Sequence, residues 1–520
     1  MKKKLIGAAL LAFIGIAVVV AVMVLAPMFK DRQQVSTSDA KKTKGVIRIA
    51  LDNWIGYFPL RSPEMKRAMR IRGWRIAVVD DKADYPKRMQ QLEEGKFEFA
   101  VVTVDSFLLN AAKFNFPGVV IMVIDESKGG DAILARADKV NNLSDIKGKM
   151  DIRVAFTPNS PSHHLLKAVA AHFNVPELLP SGHLRIETNG SEEALKKLLS
   201  GKTDVAVLWE PDVSRALANP RIKKLIGTDD TKRLIVDILV VNRSWARNNP
   251  NLVKLFLSTY FTVLKKYREN PDLLKKHVKA DTGMGDAQVD SMLKGVRWVN
   301  LTENCLSWFG ISAPGENSDE GLVNTVTSTV DILVSAGDFS KSPLPDNDPY
   351  RIINSSYLEQ LFRQGLMGFG QKTSGGFKSA DSLAAKFPRL SASQWKKLQV
   401  VGSLKVDPVI FQSGSAILDI LAKEIIDKAV EALKHYPHFR LVIKGHTSTE
   451  GDRRANVKLS QERSDAVARY LNITYGIDPN RLRSTGLGGR KPLKQLPGET
   501  YRSWLYRLPR VELVLVRENY

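Results

Sequence analysis

The sequence predicts a mixed α/β protein with two globular regions behind one apolar segment. Between residues 45 and 310, short buried-type strands alternate with amphipathic helices in two successive series, the pattern of βαβ units. A further strand–helix series fills residues 401–520. Ahead of both, an uncharged apolar run extends from Leu5 to Phe29.

The apolar run is long enough to span a bilayer and exceeds the core of a secretory signal. Pro27 follows Ala26, the one residue suited to cleavage, and disfavours cutting there. No Cys stands nearby for lipidation. Lys2, Lys3 and Lys4 place the N-terminus in the cytoplasm by the positive-inside rule, and Lys30 and Arg32 on the other flank oppose it. The expectation is a retained single-pass inner-membrane anchor over residues 1–30, with the bulk of the chain in the periplasm. Residues 31–44, polar and rich in Ser, Thr and Lys, read as a linker.

In the first series, Val46–Leu51, Trp74–Val79, Phe97–Val102 and Val119–Ile124 read as strands, with helices around Glu64–Ile71, Tyr85–Glu94 and Ser106–Lys113. The second has strands at Arg153–Phe156, Leu184–Thr188 and Val205–Leu208, with helices beginning near His163 and Glu192. Ala132–Arg136 and Ile235–Val241 read as strands that cross between two lobes, and helices from Asn249 onward return to complete the structure. Ligands of open α/β sheets bind outside the carboxyl ends of strands. That rule selects Asn53, Trp54 and Tyr57 after the first strand, and Thr103 and Asp105 after FAVVTV. It also selects Ser160, Ser162 and His163 at a helix start, whose free N–H groups suit an anion, and Trp209 and Glu210 after VAVL. Asp237, on the returning strand, is a candidate for an amine or a hinge contact. Ser160 or Ser162 could equally be a helix cap, Trp54 and Trp209 core residues, and Glu210 a bridge between lobes. His163 and His164 make no metal-ligand spacing with another His or acid, so no metal is expected.

The stretches IALDNWIGYFPL, TPNSPSHHLLKAV, DVAVLWEPDVSRAL and DILVVNRSWARNNP resemble the nitrate/sulfonate/taurine-type periplasmic substrate-binding proteins of ABC transporters. The similarity covers Gly45–Gly310. It implies a two-lobed type II periplasmic-binding-protein fold over 45–367 that closes on a small ligand, an anion or small organic acid, with an ABC transporter permease as partner. It extends to chains that fuse such a domain to an OmpA-like one, labelled phosphate ABC transporter substrate-binding/OmpA family proteins. Residues 368–400 read as the linker, because Gly368–Ser382 is rich in Gly, Ser and Lys.

Over 401–520, Val406–Phe411, Phe439–Lys444, Arg481–Gly486 and Arg510–Val516 read as strands, and Ser415–Tyr436 and Asn456–Tyr470 as helices, a βαβαβ unit. Asn456 and Arg463 lie about two turns apart and share one side of their helix. The series Gly445-His446-Thr447, Asn456, Leu459-Ser460, Arg463, Val467 and Leu471 resembles the peptidoglycan-binding signature of OmpA-like C-terminal domains. In that family an Asp after Gly-His-Thr binds the ammonium of diaminopimelate and the helix Arg binds its carboxylate. Arg463 and Asn456 map onto family positions, whereas Ser448 stands where the Asp should be. A hydroxyl brings no charge to an ammonium, so wall binding is expected to be weaker unless Glu450 or Asp452 substitutes.

The chain of 520 residues carries a net charge of +22, which favours acidic partners, wall polymer or a membrane surface. The cations are spread along the chain and no nucleic-acid module is legible, so nucleic acid is not expected. Cys305 is alone, which excludes an intramolecular disulfide and any multi-cysteine metal site. The reading that follows is a non-catalytic, membrane-anchored receptor for a small solute that also grips peptidoglycan and needs no cofactor. A wall-anchoring or stator-like protein is the alternative, although Leu5–Phe29 lacks the intramembrane carboxylate of ion-driven stators. An enzyme like the two-lobed thiamine-pyrimidine synthases is disfavoured, because those carry a Cys-rich motif.

Overall fold

The computed structural model describes residues 43–312, 318–364, 387–409, 411–412 and 414–518. The expected transmembrane segment and most of the stretch read as the second linker lie outside these residues. Among the described residues, no helix is long and apolar enough to cross a membrane.

The chain enters a first lobe through β1 (Gly45–Leu51), β2 (Trp74–Asp80), β3 (Phe99–Thr103) and β4 (Gly118–Ser127). Between them run α1 (Pro63–Ile71), α2 (Tyr85–Glu93) and α3 (Val104–Ala111). Local chemistry sets the first two starts: the Ser62 and Asp84 side chains cap α1 and α2, and each helix has Pro in its first turn. Residues 128–130 lead across to the second lobe, which holds β5 (Asp131–Arg136), β6 (Val154–Phe156), β7 (Arg185–Glu187), β8 (Val205–Trp209) and β9 (Ile222–Gly227). Its helices include α4 (Pro161–Phe173) and α5 (Ser191–Leu199). The chain then returns through β10 (Val236–Asn242), the long helix α6 (Pro250–Glu269), β11 (Val296–Trp298) and α7 (Gly321–Ser335).

The two sheets repeat one plan. The first has strand order β11-β4-β10-β3-β1-β2 and the second β7-β6-β8-β5-β9. In each, the third parallel strand pairs antiparallel with a strand arriving from the other lobe: β3 with β10, and β8 with β5. The two strands expected to cross between lobes therefore do so. Side chains that alternate along a buried strand reach both faces of its sheet. On one face of the first sheet, Ile47, Ile49 and Leu51 pack with Phe256 and Tyr260 of α6. On the other, Ala100 and Val102 pack with Phe107 of α3 and Val326 of α7.

The C-terminal domain contains β12 (Gln399–Ser403), α8 (Ile420–Lys434), β13 (Arg440–His446), α9 (Arg453–Tyr475), β14 (Leu482–Gly486) and β15 (Arg510–Arg517). Its sheet order is β12-β15-β13-β14, with β13 and β14 parallel and the other pairs antiparallel. Gly445 lets β13 approach α9, since a methyl group there would overlap the Ser460 carbonyl.

Two expected boundaries differ. The described part of the stretch read as linker, 387–400, carries a helix (Ala392–Lys397) and the start of β12, and Arg440 packs over Phe387 and Trp395. The first strand of this domain lies at 399–403, not at Val406–Phe411, where no strand forms among the described residues. The cause is visible in the hydrogen bonds: Leu404 N–H still reaches Leu513 O of β15, whereas Lys405 N–H turns to His172 O of the second lobe, 2.6 Å away. Pro408 beyond it has no N–H to donate.

The C-terminal domain packs on the second lobe through a continuous core. Leu178 and Phe173 join Val401, Tyr436 and Leu515 in one apolar cluster. Tyr436 Oη and His172 Nδ1 are 2.9 Å apart, the rings of His172 and His435 stack at 5.5 Å, and Arg517 meets Asp230 at 2.9 Å.

Candidate functional site

A cavity lies where the two lobes face each other. The first lobe supplies Asn53, Trp54 and Tyr57 from the turn after β1, and Thr103 from the end of β3. Ser160 and Trp209 come from the second lobe, and Asp237 from the returning strand. These are seven of the residues selected from sequence. The cavity measures about 40 Å³, several times the ~10–15 Å³ that one water needs on the same measure.

The remaining candidates sit behind or beside the cavity. Asp105 is buried at the start of α3 and accepts from Ser106 Oγ at 3.2 Å. Ser162 is fully buried and its hydroxyl has no protein partner. His163 stacks on Phe156 at 4.5 Å, and burial pushes its imidazole down to about 2, so the ring is neutral. Glu210 accepts from Ser214 Oγ at 2.7 Å and from Ser291 Oγ of the first lobe at 3.1 Å. Glu210 thus bridges the lobes, as one of its two sequence readings allowed. Ser160 does not cap α4 with its side chain; its hydroxyl donates to Thr157 O at 2.6 Å.

Three acidic residues line the space: Asp52, Asp131 and Asp237. Asp52 and Asp81 flank the fully buried Arg88, which also donates to the Val101 carbonyl. Asp237 accepts from the Tyr57 hydroxyl and stands opposite Asp125 in the β4–β10 pair. Burial pushes both carboxyls up, that of Asp125 to about 7; the Asp125 charge adds to the rise at Asp237, and the charges of Asp131 and Glu126 add to the rise at Asp125. Burial also pushes Asp131 up to about 7, against a 2.7 Å bond from Ser127 Oγ. Trp54 Nε1 donates to Asp125 Oδ1 at 3.3 Å. That approach requires Gly56, where a methyl group would overlap the Asp125 carboxylate and the Trp54 ring nitrogen.

Sequence reasoning missed Asp52, Tyr85 and Asp131. Asp52 directly follows β1 and obeys the carboxyl-end rule already in use. Asp131 opens β5, which runs antiparallel to its neighbour β8. The amino end of such a strand lies beside the carboxyl ends of the parallel ones, so the rule needs inverting there. Tyr85, in the first turn of α2, gave no signal beyond its aromatic ring.

In the C-terminal domain two of the candidate wall contacts, Ser448 and Asn456, frame one loop, and Arg463 meets the separate segment 411–415. Ser448 Oγ accepts from Glu450 N–H at 3.1 Å. Asn456 donates to the Glu450 carbonyl at 2.7 Å and holds the loop against α9. Asp452 caps α9 through Ala455 N–H, whereas the Glu450 carboxylate accepts from the Tyr501 hydroxyl at 3.4 Å. The Arg463 guanidinium lies over Phe411 and donates to Ser415 O and Gln412 O at 3.0 and 3.3 Å. It is buried, and no carboxylate among the described residues pairs with it.

Comparison with known proteins agrees for the C-terminal part. Residues 410–502 match the OmpA family, so an OmpA-family domain occupies this end of the chain. Over 85 residues the chain is 38% identical to "Probable lipoprotein YiaD" of Escherichia coli, covering 16% of this chain and 38% of that protein. A 24% identity over 212 residues links it to the peptidoglycan-binding protein ArfA of Mycobacterium tuberculosis, covering 35% of this chain and 60% of ArfA. The chain thus spans less than two thirds of the length of each of these relatives. The periplasmic aliphatic sulphonate binding protein SsuA of Escherichia coli superposes with a TM-score of 0.44 at 17% identity, covering 57% of this chain and 89% of SsuA. The two-lobed architecture described above rests on strand order and register rather than on that likeness.

Proposed function

We propose that this chain is a solute-binding protein of the bacterial envelope whose two lobes close on one small molecule while its C-terminal domain contacts peptidoglycan. One observation carries the reading: side chains from strand ends of both lobes converge on a single small cavity at their junction. A ligand touching both lobes favours the closed arrangement by its extra contacts, and hinge closure is the mechanism. The unpaired Arg463 supports the wall contact, because a buried guanidinium without an anion suits an incoming carboxylate. Relatives named for peptidoglycan binding and for lipoproteins support an envelope location. The run Leu5–Phe29 supports an inner-membrane anchor, and a permease partner follows from the receptor role.

The chain acts without catalysis in this reading. Burial pushes the Cys305 thiol up to about 12, so it supplies no thiolate nucleophile. The test is a thermal-shift screen of the full-length chain with amino acids, amines, sulfonates, phosphate, nitrate, bicarbonate and pyrimidines, beside retention on purified peptidoglycan. One solute class should raise the midpoint by mass action. A screen in which no solute shifts it removes the receptor reading; loss of wall retention alone removes only the second half.

A further inference from the structure

We propose that the interlobe cavity takes a small organic ammonium ion, held by carboxylates and aromatic faces, rather than the anion its sequence resemblance implies. The inference rests on the solute-binding reading above.

The charge on the cavity wall is of one sign. Asp52, Asp131 and Asp237 line it, and no Lys, Arg or His does so among the described residues. This occurs in a chain with 77 Lys and Arg against 55 Asp and Glu, where a cationic lining would be the expectation of composition alone. Two guanidinium groups lie near the wall: Arg88 is committed to Asp81, Asp52 and the Val101 carbonyl, and Arg61 to Asp281 and the carbonyls of Asp52, Asn53 and Trp54. Asp125 adds a further carboxyl behind Asp237. Buried carboxylates are costly unless a cation or hydrogen bonds satisfy them. Here the described residues supply hydroxyls from Tyr57 and Ser127, but no cation to Asp131 or Asp237.

The wall between the acids is aromatic. Trp54, Tyr57, Tyr85 and Trp209 all border the cavity. Aromatic faces carry negative quadrupole density and attract alkylammonium groups, most strongly where water is excluded. Thr103 provides an independent sign of a missing occupant: it is 1% exposed, borders the cavity, and its hydroxyl has no protein partner. Features of opposite polarity are the N-terminal ends of α2 at Tyr85, of α3 at Thr103 and of α4 at Ser160 and Pro161. Each carries roughly half a positive charge at most, and none is a cationic side chain. A bare metal ion fits less well than a polyatomic cation, because no three His, Cys, Asp or Glu side chains among the described residues converge at metal-ligand spacing.

The experiment uses the full-length chain at pH 8 and fixed ionic strength, with tetramethylammonium, ethylammonium, ethanesulfonate and nitrate as probes. Calorimetry and thermal shift should report one-site binding of the ammonium probes and none of the anions. Binding of an anion alone overturns the assignment and leaves the receptor reading standing. Silence of all four also overturns it, and the wider screen then decides whether the receptor reading falls too. Asp131→Asn and Asp237→Asn should each weaken tetramethylammonium at least tenfold. Asp131→Asn should raise the ligand-free melting midpoint at this pH, which separates lost binding from lost folding. Undiminished affinity in both variants would sink the proposal.

Discussion

The interlobe cavity and the loop beneath α9 leave opposite charges unanswered. Around the cavity, the carboxyls of Asp131 and of the Asp125–Asp237 pair are buried with no cation paired to them among the described residues. In the C-terminal domain, Arg463 is buried with no anion paired to it among the described residues. Charges that serve only folding are normally paired within the chain. On the proposals above, each region suits a partner of opposite sign, and the two partners are chemically distinct.

The largest effect should come from Arg463→Ala, which removes the fork that would grip a wall carboxylate. A hydrogen bond to a charged group contributes roughly 1.5–3 kcal/mol. Retention of the protein on purified peptidoglycan should therefore fall by about tenfold or more, while tetramethylammonium affinity stays unchanged. Equal losses at both sites would merge the two regions into one and break the comparison.

A gain of similar kind, about tenfold, is expected from Ser448→Asp, which restores an anion opposite the ammonium of a zwitterionic wall peptide. Structure sharpens the alternatives. Asp452 is engaged as the cap of α9, so Glu450, not Asp452, is the neighbour able to substitute. Glu450→Gln should weaken pull-down and Asp452→Asn should not.

At the cavity, Trp209→Ala should weaken the ammonium probe several-fold, consistent with about 0.5–2 kcal/mol for a cation–π contact. Ser162→Ala should do less, since Ser162 does not border the cavity. Calorimetry that ranks these two the other way would relocate the ligand toward α4.

The smallest effects are those of pH, and they run in opposite directions. Asp131 is raised to about 7 by burial, with Ser127, Asp105 and Glu210 facing it. A raised acid binds its proton more tightly folded than unfolded, so ligand-free stability declines as pH rises from about 4 to 7. A bound ammonium ion should cancel that decline, making its thermal shift larger at pH 8 than at pH 5. His172 and His435, both depressed by burial at the domain interface, behave conversely. The unfolded state takes up their protons first, so docking weakens as pH falls below about 6.5. Melting curves at pH 5 and 8, with and without tetramethylammonium, separate the two trends.

Much of this arrangement was legible in the sequence because it rests on local pattern. Alternating strands, helix starts such as Ser62-Pro63 and the two crossing strands follow from periodicity and capping. The cavity walls followed from the carboxyl-end rule wherever strands are parallel. Sequence did not show that Asp131 belongs to the site, because its strand is antiparallel and only the assembled sheet reveals which end faces the cleft. Nor did it show that residues 387–400 belong with the C-terminal domain, since Arg440 over Trp395 is a contact between distant segments. The sign of the cavity was hidden by the strongly basic composition, an average that says nothing of where acids gather.

The apolar cluster that joins Phe173 and Leu178 to Val401, Tyr436 and Leu515 gives the second lobe and the C-terminal domain a shared core, so that they form one block. If that block is moored to the murein mesh, the second lobe is the stationary jaw. Every opening stroke then belongs to the first lobe, the jaw that carries the chain's path toward its apolar N-terminal run. Solute capture would register as a displacement measured from the wall, with Ser328 and His435, 2.8 Å apart across the boundary between α7 and the docked domain, as the pair that must part or slide.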